Sequence, residues 1–112
     1  MLDQDCLFCK IIQKKIPAEL VFEDDQTLVF KDIYPKASIH LLVIPKKHVS
    51  GVTDPHSLVE INAIWSTINK VTEKLAIKDK GFRLVINSGH DGRQEVNHLH
   101  FHILAGERLK VL

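Results

Sequence analysis

The sequence has no surplus of charge, no long apolar run and almost no cysteine, and each lack removes a class of protein. Basic residues number 15 against 14 acidic ones, so the clustered basic excess of a general nucleic-acid or membrane-surface binder is missing. A small phosphate ligand, which needs only local donors, stays open. No apolar run approaches the ~18 residues of a membrane span. The opening Met1-Leu2-Asp3-Gln4-Asp5 puts acids before an apolar stretch that Lys10 and Gln13 interrupt, unlike a secretory leader. The only cysteines, Cys6 and Cys9, lie three positions apart. That is too close to staple distant segments, and it fits a reducing compartment. No internal repeat, low-complexity tract or linker divides the chain. The expectation is a cytoplasmic protein with one domain over residues 1–112, long enough to bury a modest core.

What is present in excess is histidine, with 7 in 112 residues. Imidazole titrates near neutrality and serves as base, nucleophile or ligand, so placement matters more than number. The pattern around these residues predicts an α+β fold. Residues 6–15 read as a short first helix that the Ile16-Pro17 step ends. Leu20 to Glu23 and Thr27 to Lys31 read as strands joined at Asp24-Asp25-Gln26, and Ile39 to Ile44 as a third, more apolar strand. A long helix is predicted from Pro55 to Ala76, with Asp54 as its cap. Leu58, Ile61, Trp65, Ile68, Val71 and Leu75 form its apolar stripe. Phe82 to Asn87 and His98 to Ala105 complete five strands around a glycine-bearing loop, Ser88 to Arg93. Without repeating βαβ units, the expectation is a five-stranded antiparallel meander with one long helix and a short N-terminal one.

The informative stretch is His98-Leu99-His100-Phe101-His102-Ile103-Leu104. On a strand, Leu99, Phe101 and Ile103 point into a core and the histidines share the other face, about 7 Å apart in succession. Packing gives no reason for imidazoles there, since threonine or lysine would solvate such a face at less cost. Two chemistries fit. A His-x-His pair suits a zinc ion with an open position for activating water. Alternatively, one imidazole attacks phosphorus while its neighbours hold phosphoryl oxygens. The spacing alone does not choose between them.

The His98-x-His100-x-His102 pattern resembles the signature of the histidine triad superfamily of nucleotide hydrolases and transferases. Further stretches are similar, in order, to its nucleoside phosphoramidase branch: Val21-Phe22-Glu23-Asp24-Asp25, Val29-Phe30-Lys31-Asp32-Ile33, His40-Leu41-Leu42-Val43-Ile44-Pro45-Lys46-Lys47-His48 and Gly92-Arg93-Gln94-Glu95-Val96. The likeness covers nearly the whole chain. Histidine at the third triad position, His102, resembles the hydrolases, whereas the nucleotidyltransferases typically carry glutamine there.

The resemblance implies a hydrolase of purine nucleoside phosphoramidates and related adenylates, working through a nucleotidyl-histidine intermediate. It makes His100 the nucleophile, His102 a phosphate contact and His40 a support for the cluster. Asn87 becomes a phosphate-side contact, Asp32 the acceptor for ribose hydroxyls, and Ile33 with Phe22 and Leu41 a slot for the base. The loop residues Gln94 and Val96 fall at nucleotide-binding positions. This loop also departs from many relatives: Gly92-Arg93 stands for two glycines, Glu95 for a serine used near the leaving group, and Asn97 for a common tyrosine. Glu95 is the residue here that would serve the leaving group. The resemblance further implies a structural zinc on Cys6, Cys9, His48 and His98, and a homodimer with the long helix at its interface. His56 and His90 are expected to be solvated. Alternatives are a dinucleoside polyphosphate hydrolase, a zinc hydrolase with its metal on the triad, and a nucleotide-binding interaction module without catalysis.

Overall fold

Two runs in the sequence, Leu28-Val29-Phe30 and Leu41-Leu42-Val43-Ile44, are apolar at every position rather than at every second one. Strands of that kind need cover on both faces. The computed structural model, which describes residues 5–112, supplies it. Its elements in order are α1 (Leu7–Ile12), β1 (Leu20–Glu23), β2 (Thr27–Lys31), β3 (Ile39–Pro45), α2 (Ser57–Lys74), β4 (Arg83–Val85) and β5 (Phe101–Ala105). The strands form one antiparallel sheet in the order β1-β2-β3-β5-β4. Val29, Leu41, Val43, Leu99, Phe101 and Ile103 pack with Ile64, Ile68 and Val71 of α2. Leu28, Phe30, Leu42 and Ile44 face the other way and pack with Phe8, Cys9 and Ile11 of α1.

The class and the five strands are as the sequence predicts, but the meander breaks after β3. Helix α2 carries the chain across one face and delivers β4 to the sheet edge. β5 then enters between β3 and β4, antiparallel to both. β3 and β4 therefore run parallel, a relation that only a crossover connection can provide. The histidine-bearing segment consequently ends in an interior strand, with a neighbour on each side.

Three local predictions change for identifiable reasons. Helix α1 stops at Ile12 because Lys14 takes a left-handed conformation (φ 63°), well before Pro17. Its start is capped by Cys6, whose Sγ accepts the Cys9 N–H at 3.3 Å. Helix α2 begins at Ser57, not Pro55, because Asp54 is spent on the preceding turn. Its carboxylate accepts from the Ser50 and His56 amides at 3.0 and 2.8 Å and from the Ser50 hydroxyl.

The predicted α2 stripe also divides. Ile64, Ile68 and Val71 are buried, whereas Leu58 and Trp65 are 77% and 58% exposed. A step of one residue turns a helix by about 100°, so those two side chains fall outside the buried face. Thr67, on the buried face, meets the Thr27 hydroxyl at 2.6 Å and leaves neither oxygen unsatisfied. Among the described residues no helix is long and apolar enough to cross a membrane.

Candidate active site

The sheet ladder of β5 opens with Phe101 opposite Val43, so His98 and His100 lie just before the regular strand rather than within it. The alternation nevertheless continues upstream. Leu99 joins Phe101 and Ile103 in the core under α2, and the Leu99 amide donates to the Val49 carbonyl at 2.8 Å. The three imidazoles thus project from the α1 side of the sheet. They are not solvated there. His98 and His100 are buried and His102 is half-buried, and Phe8 of α1 lies edge-on to the first two.

Hydrogen bonding fixes which nitrogen of each ring bears a proton. Among the described residues the one acceptor for His100 Nδ1 is the His98 carbonyl oxygen, at 2.7 Å, so Nδ1 donates and Nε2 keeps a bare lone pair. Burial holds the His100 pKa below its ordinary 6.5, against the smaller opposing pulls of that hydrogen bond and of Asp32. A neutral imidazole with an aimed lone pair is a nucleophile at neutral pH.

A second chain runs through His40. The Lys36 main-chain N–H donates to His40 Nδ1 at 3.0 Å, which puts the His40 proton on Nε2. From there it points to His102 Nδ1 at 2.9 Å, with an Asp32 carboxylate oxygen at 3.5 Å. His102 Nδ1 is therefore an acceptor, and its own proton sits on Nε2. That Nε2 is buried and makes no hydrogen bond among the described residues. Leaving a buried donor unpaired costs about 1–3 kcal/mol, a cost recovered when an anionic oxygen reaches it. Burial, aided by the neighbouring His100 and His40, pushes the His102 pKa down to about 4. His102 is thus a neutral donor whose ring centroid lies 5.2 Å from that of His100.

Asp32, His40 and His102 also offer three ligand atoms within 4.8 Å of one another. The direction of the hydrogen bonds disfavours a metal on them. His40 Nδ1 already accepts from Lys36, and its Nε2 carries the proton a metal would have to displace.

The cluster of Cys6, Cys9, His48 and His98 differs in this respect. His98 Nε2 lies 2.9 Å from the Pro45 carbonyl oxygen and donates to it, turning the Nδ1 lone pair towards Cys6 Sγ (3.3 Å), Cys9 Sγ (3.6 Å) and His48 Nδ1 (3.1 Å). His48 Nδ1 stands 3.4 Å from Cys9 Sγ. A tetrahedral ion about 2.0–2.1 Å from nitrogen and 2.3 Å from sulfur has ligand–ligand edges of about 3.3–3.8 Å. Soft sulfur with imidazole, converging at that spacing, is a donor set that fits such an ion.

The other predicted positions divide between the two faces. Asp32 is half-buried beside His40, and its second oxygen accepts the Tyr34 amide at 2.8 Å. Ile33 is 80% exposed, which removes core packing as its reason. Phe22 and Leu41 pack on the α2 side, opposite the histidines, because Phe22 pairs with Val29 in register and shares its face. They do not line a base slot on the triad face. Asn87 is half-buried two residues beyond Val85, the pairing partner of His102. Val96 packs against the α1-side cluster.

Gln94 is used up inside the loop. Its carbonyl oxygen accepts the Gly89 amide, and its NH₂ group donates to the Ser50 and Val96 carbonyls. It braces the loop against the segment before α2 instead of offering itself to a ligand. Glu95 and Asn97 are exposed, as are His56 and His90.

The loop also explains its departures. A Cβ at Gly92 would lie 2.3 Å from the Ser88 carbonyl oxygen, so glycine is required there. Arg93 adopts φ 62°, the left-handed region that favours glycine and costs other residues about 1–2 kcal/mol. The residue that the sequence did not single out is Phe8. Its only signal, a large apolar side chain between two cysteines, reads as ordinary core.

These pKa shifts carry a stability prediction. The folded state keeps His102 and His100 neutral, while the unfolded chain binds protons below about pH 6.5. Stability is therefore complete above that value and falls as the pH drops from 6.5 towards 4. Urea unfolding across this range should show the decline, and His102→Asn should make it shallower. An unfolding free energy that stays level from pH 7 to 4 would contradict the assignment.

Comparison with known proteins agrees with this geometry. The HIT domain matches residues 13–109. A HIT-like protein of Helicobacter pylori is 46% identical, covering 91% of this chain and 97% of its own. A histidine triad protein from Clostridium difficile superposes with a TM-score of 0.94 at 45% identity, covering 100% of this chain and 99% of its own. A HIT family hydrolase from Clostridium thermocellum does so with a TM-score of 0.90 at 38% identity, over 98% and 97%. By its match, its fold and the histidines that the fold brings together, the chain belongs to the HIT domain family.

Proposed function

We propose that the protein hydrolyses purine nucleoside phosphoramidates, and related adenylates more slowly, through a nucleotidyl intermediate on His100. The observation that carries this reading is the pairing of a bare His100 Nε2 with the unpartnered Nε2–H of His102. In the proposed reaction His100 Nε2 forms a bond to the α-phosphorus as the P–N bond breaks, and the amine leaves with a proton taken from solvent, which the later attack by water returns. Water then attacks phosphorus and releases the nucleoside monophosphate and His100. The His102 donor lies where it can bind a phosphoryl oxygen as charge develops. Asp32 is the acceptor for ribose hydroxyls, and exposed Ile33 offers an apolar surface to the base. Asn87 is proposed on the phosphate side, and Glu95, on the open rim of the loop, on the leaving-group side. The HIT family hydrolases of Clostridium thermocellum and Legionella pneumophila support hydrolysis as the reaction class.

His100→Asn should abolish turnover of an adenosine phosphoramidate and the trapping of adenylated protein, while AMP still binds. Turnover retained by that variant would reject the reading. Diadenosine polyphosphate cleaved faster than the phosphoramidate would favour the alternative hydrolase. AMP binding without cleavage of either would favour an interaction module.

For the four-donor cluster we propose a structural zinc ion. It would tie α1, through Cys6 and Cys9, to the end of β3 and the triad segment, through His48 and His98, and would add folding energy there. Metal analysis should find about one zinc per chain, lost in Cys9→Ser together with thermal stability. No zinc in the folded native protein would refute this.

We also propose a homodimer through the outward face of α2, because exposed Leu58 and Trp65 form apolar surface that the monomer leaves uncovered. Sedimentation should give twice the chain mass for the native protein and a monomer for Trp65→Glu. A native monomer at micromolar concentration would exclude it.

A further inference from the structure

Phe8 has three aromatic neighbours, and the way they share its ring ties the first helix to the reacting histidine. It is 4% exposed and stands between Cys6 and Cys9, both of which belong to the four-donor cluster. Its ring meets Phe30 of β2 at 5.5 Å, His98 at 5.8 Å and His100 at 5.1 Å, each edge-to-face, with interplanar angles of 72°, 73° and 88°. Phe30 belongs to an interior strand, and α1 is capped through Cys6. The Phe8 ring is therefore held from outside and cannot follow the imidazole if that ring turns.

The imidazole of His100 has few other restraints. One nitrogen is pinned to the His98 carbonyl, and the His102 ring, itself held by His40, lies 5.2 Å away at 65°. A rotation of about 180° at the terminal torsion exchanges the places of ring nitrogens and carbons, and that torsion is broad in an imidazole left to itself. Such a turn would break the His98 bond and aim a carbon where the lone pair is needed.

We propose that Phe8 is a positioning residue for His100. Its ring blocks rotation of the imidazole and so keeps Nδ1 on the His98 carbonyl and Nε2 aimed at the ligand side. The consequence for turnover rests on the nucleophilic role proposed above for His100; the consequence for ring orientation does not. Edge-to-face contact of this kind favours one ring orientation beyond what the buried area alone would give. A nucleophile displaced by a fraction of an ångström loses rate steeply.

The test uses the full chain with ¹⁵N-labelled histidine and reads the ring nitrogens of His100 at one fixed pH, in the native protein, Phe8→Leu and Phe8→Met. The methionine variant fills the space with a flexible chain should leucine fold poorly. Leu7→Ala, on the exposed side of the same helix, is the control. The native spectrum should show a single form protonated at Nδ1. Both Phe8 variants should show a mixture of forms and a kcat lower by about 10- to 100-fold, with Leu7→Ala unchanged in both readouts. A single Nδ1-protonated form in the folded Phe8 variants would overturn the proposal. If the native protein turns over no phosphoramidate, the functional reading fails, and the ring signals still decide whether Phe8 positions His100.

Discussion

The hydrogen bond from His100 Nδ1–H to the His98 carbonyl is the contact on which the rest of this site depends. It spans only two residues, so the local backbone sets its length and no distant element has to be docked to make it. Once it forms, the lone pair of the other ring nitrogen has one direction, and every other group in the site is arranged around that direction. The bond would be worth little in water. Burial under α1 makes it persist, and the same burial holds the ring neutral.

His98 carries two separate duties through two separate groups. Its main chain receives the proton of His100, and its ring, anchored to the Pro45 carbonyl, turns a lone pair towards two cysteines and a second histidine. A ring turned towards the cysteines and a ring with a bare nitrogen therefore stand two residues apart on the same side of one extended segment. The geometry of extended chain makes this possible, since alternate side chains face the same way while the intervening Leu99 fills the opposite core.

The loop from Ser88 to Arg93 keeps its shape on a backbone that is unfavourable at one position. Gly92 has no room for a side chain, and Arg93 accepts a left-handed backbone that a glycine would adopt at no cost. Gln94 compensates by fastening the loop at three points, two within it and one on the segment before α2. The loop is thereby closed by side-chain hydrogen bonds on an unfavourable backbone. The cost of that backbone is about 1–2 kcal/mol.

The sequence by itself determined the α+β class, the five strands, and the placing of three histidines on one face with Leu99, Phe101 and Ile103 on the other. These follow from periodicity, a property of neighbours along the chain. Cys6 and Cys9 could be paired with His48 and His98 only through the family resemblance, because side chains 92 residues apart carry no periodic signal. Tertiary structure alone decided the rest. It set β5 between β3 and β4, turned Phe22 and Leu41 away from the histidines, and spent Gln94 and Asp54 on local turns. It also brought Phe8 against His100 and left the Nε2 proton of His102 without a partner among the described residues. Each of these depends on which side of the sheet a residue occupies after pairing, or on what arrives opposite it from elsewhere in the chain. Neither is written in the order of the residues.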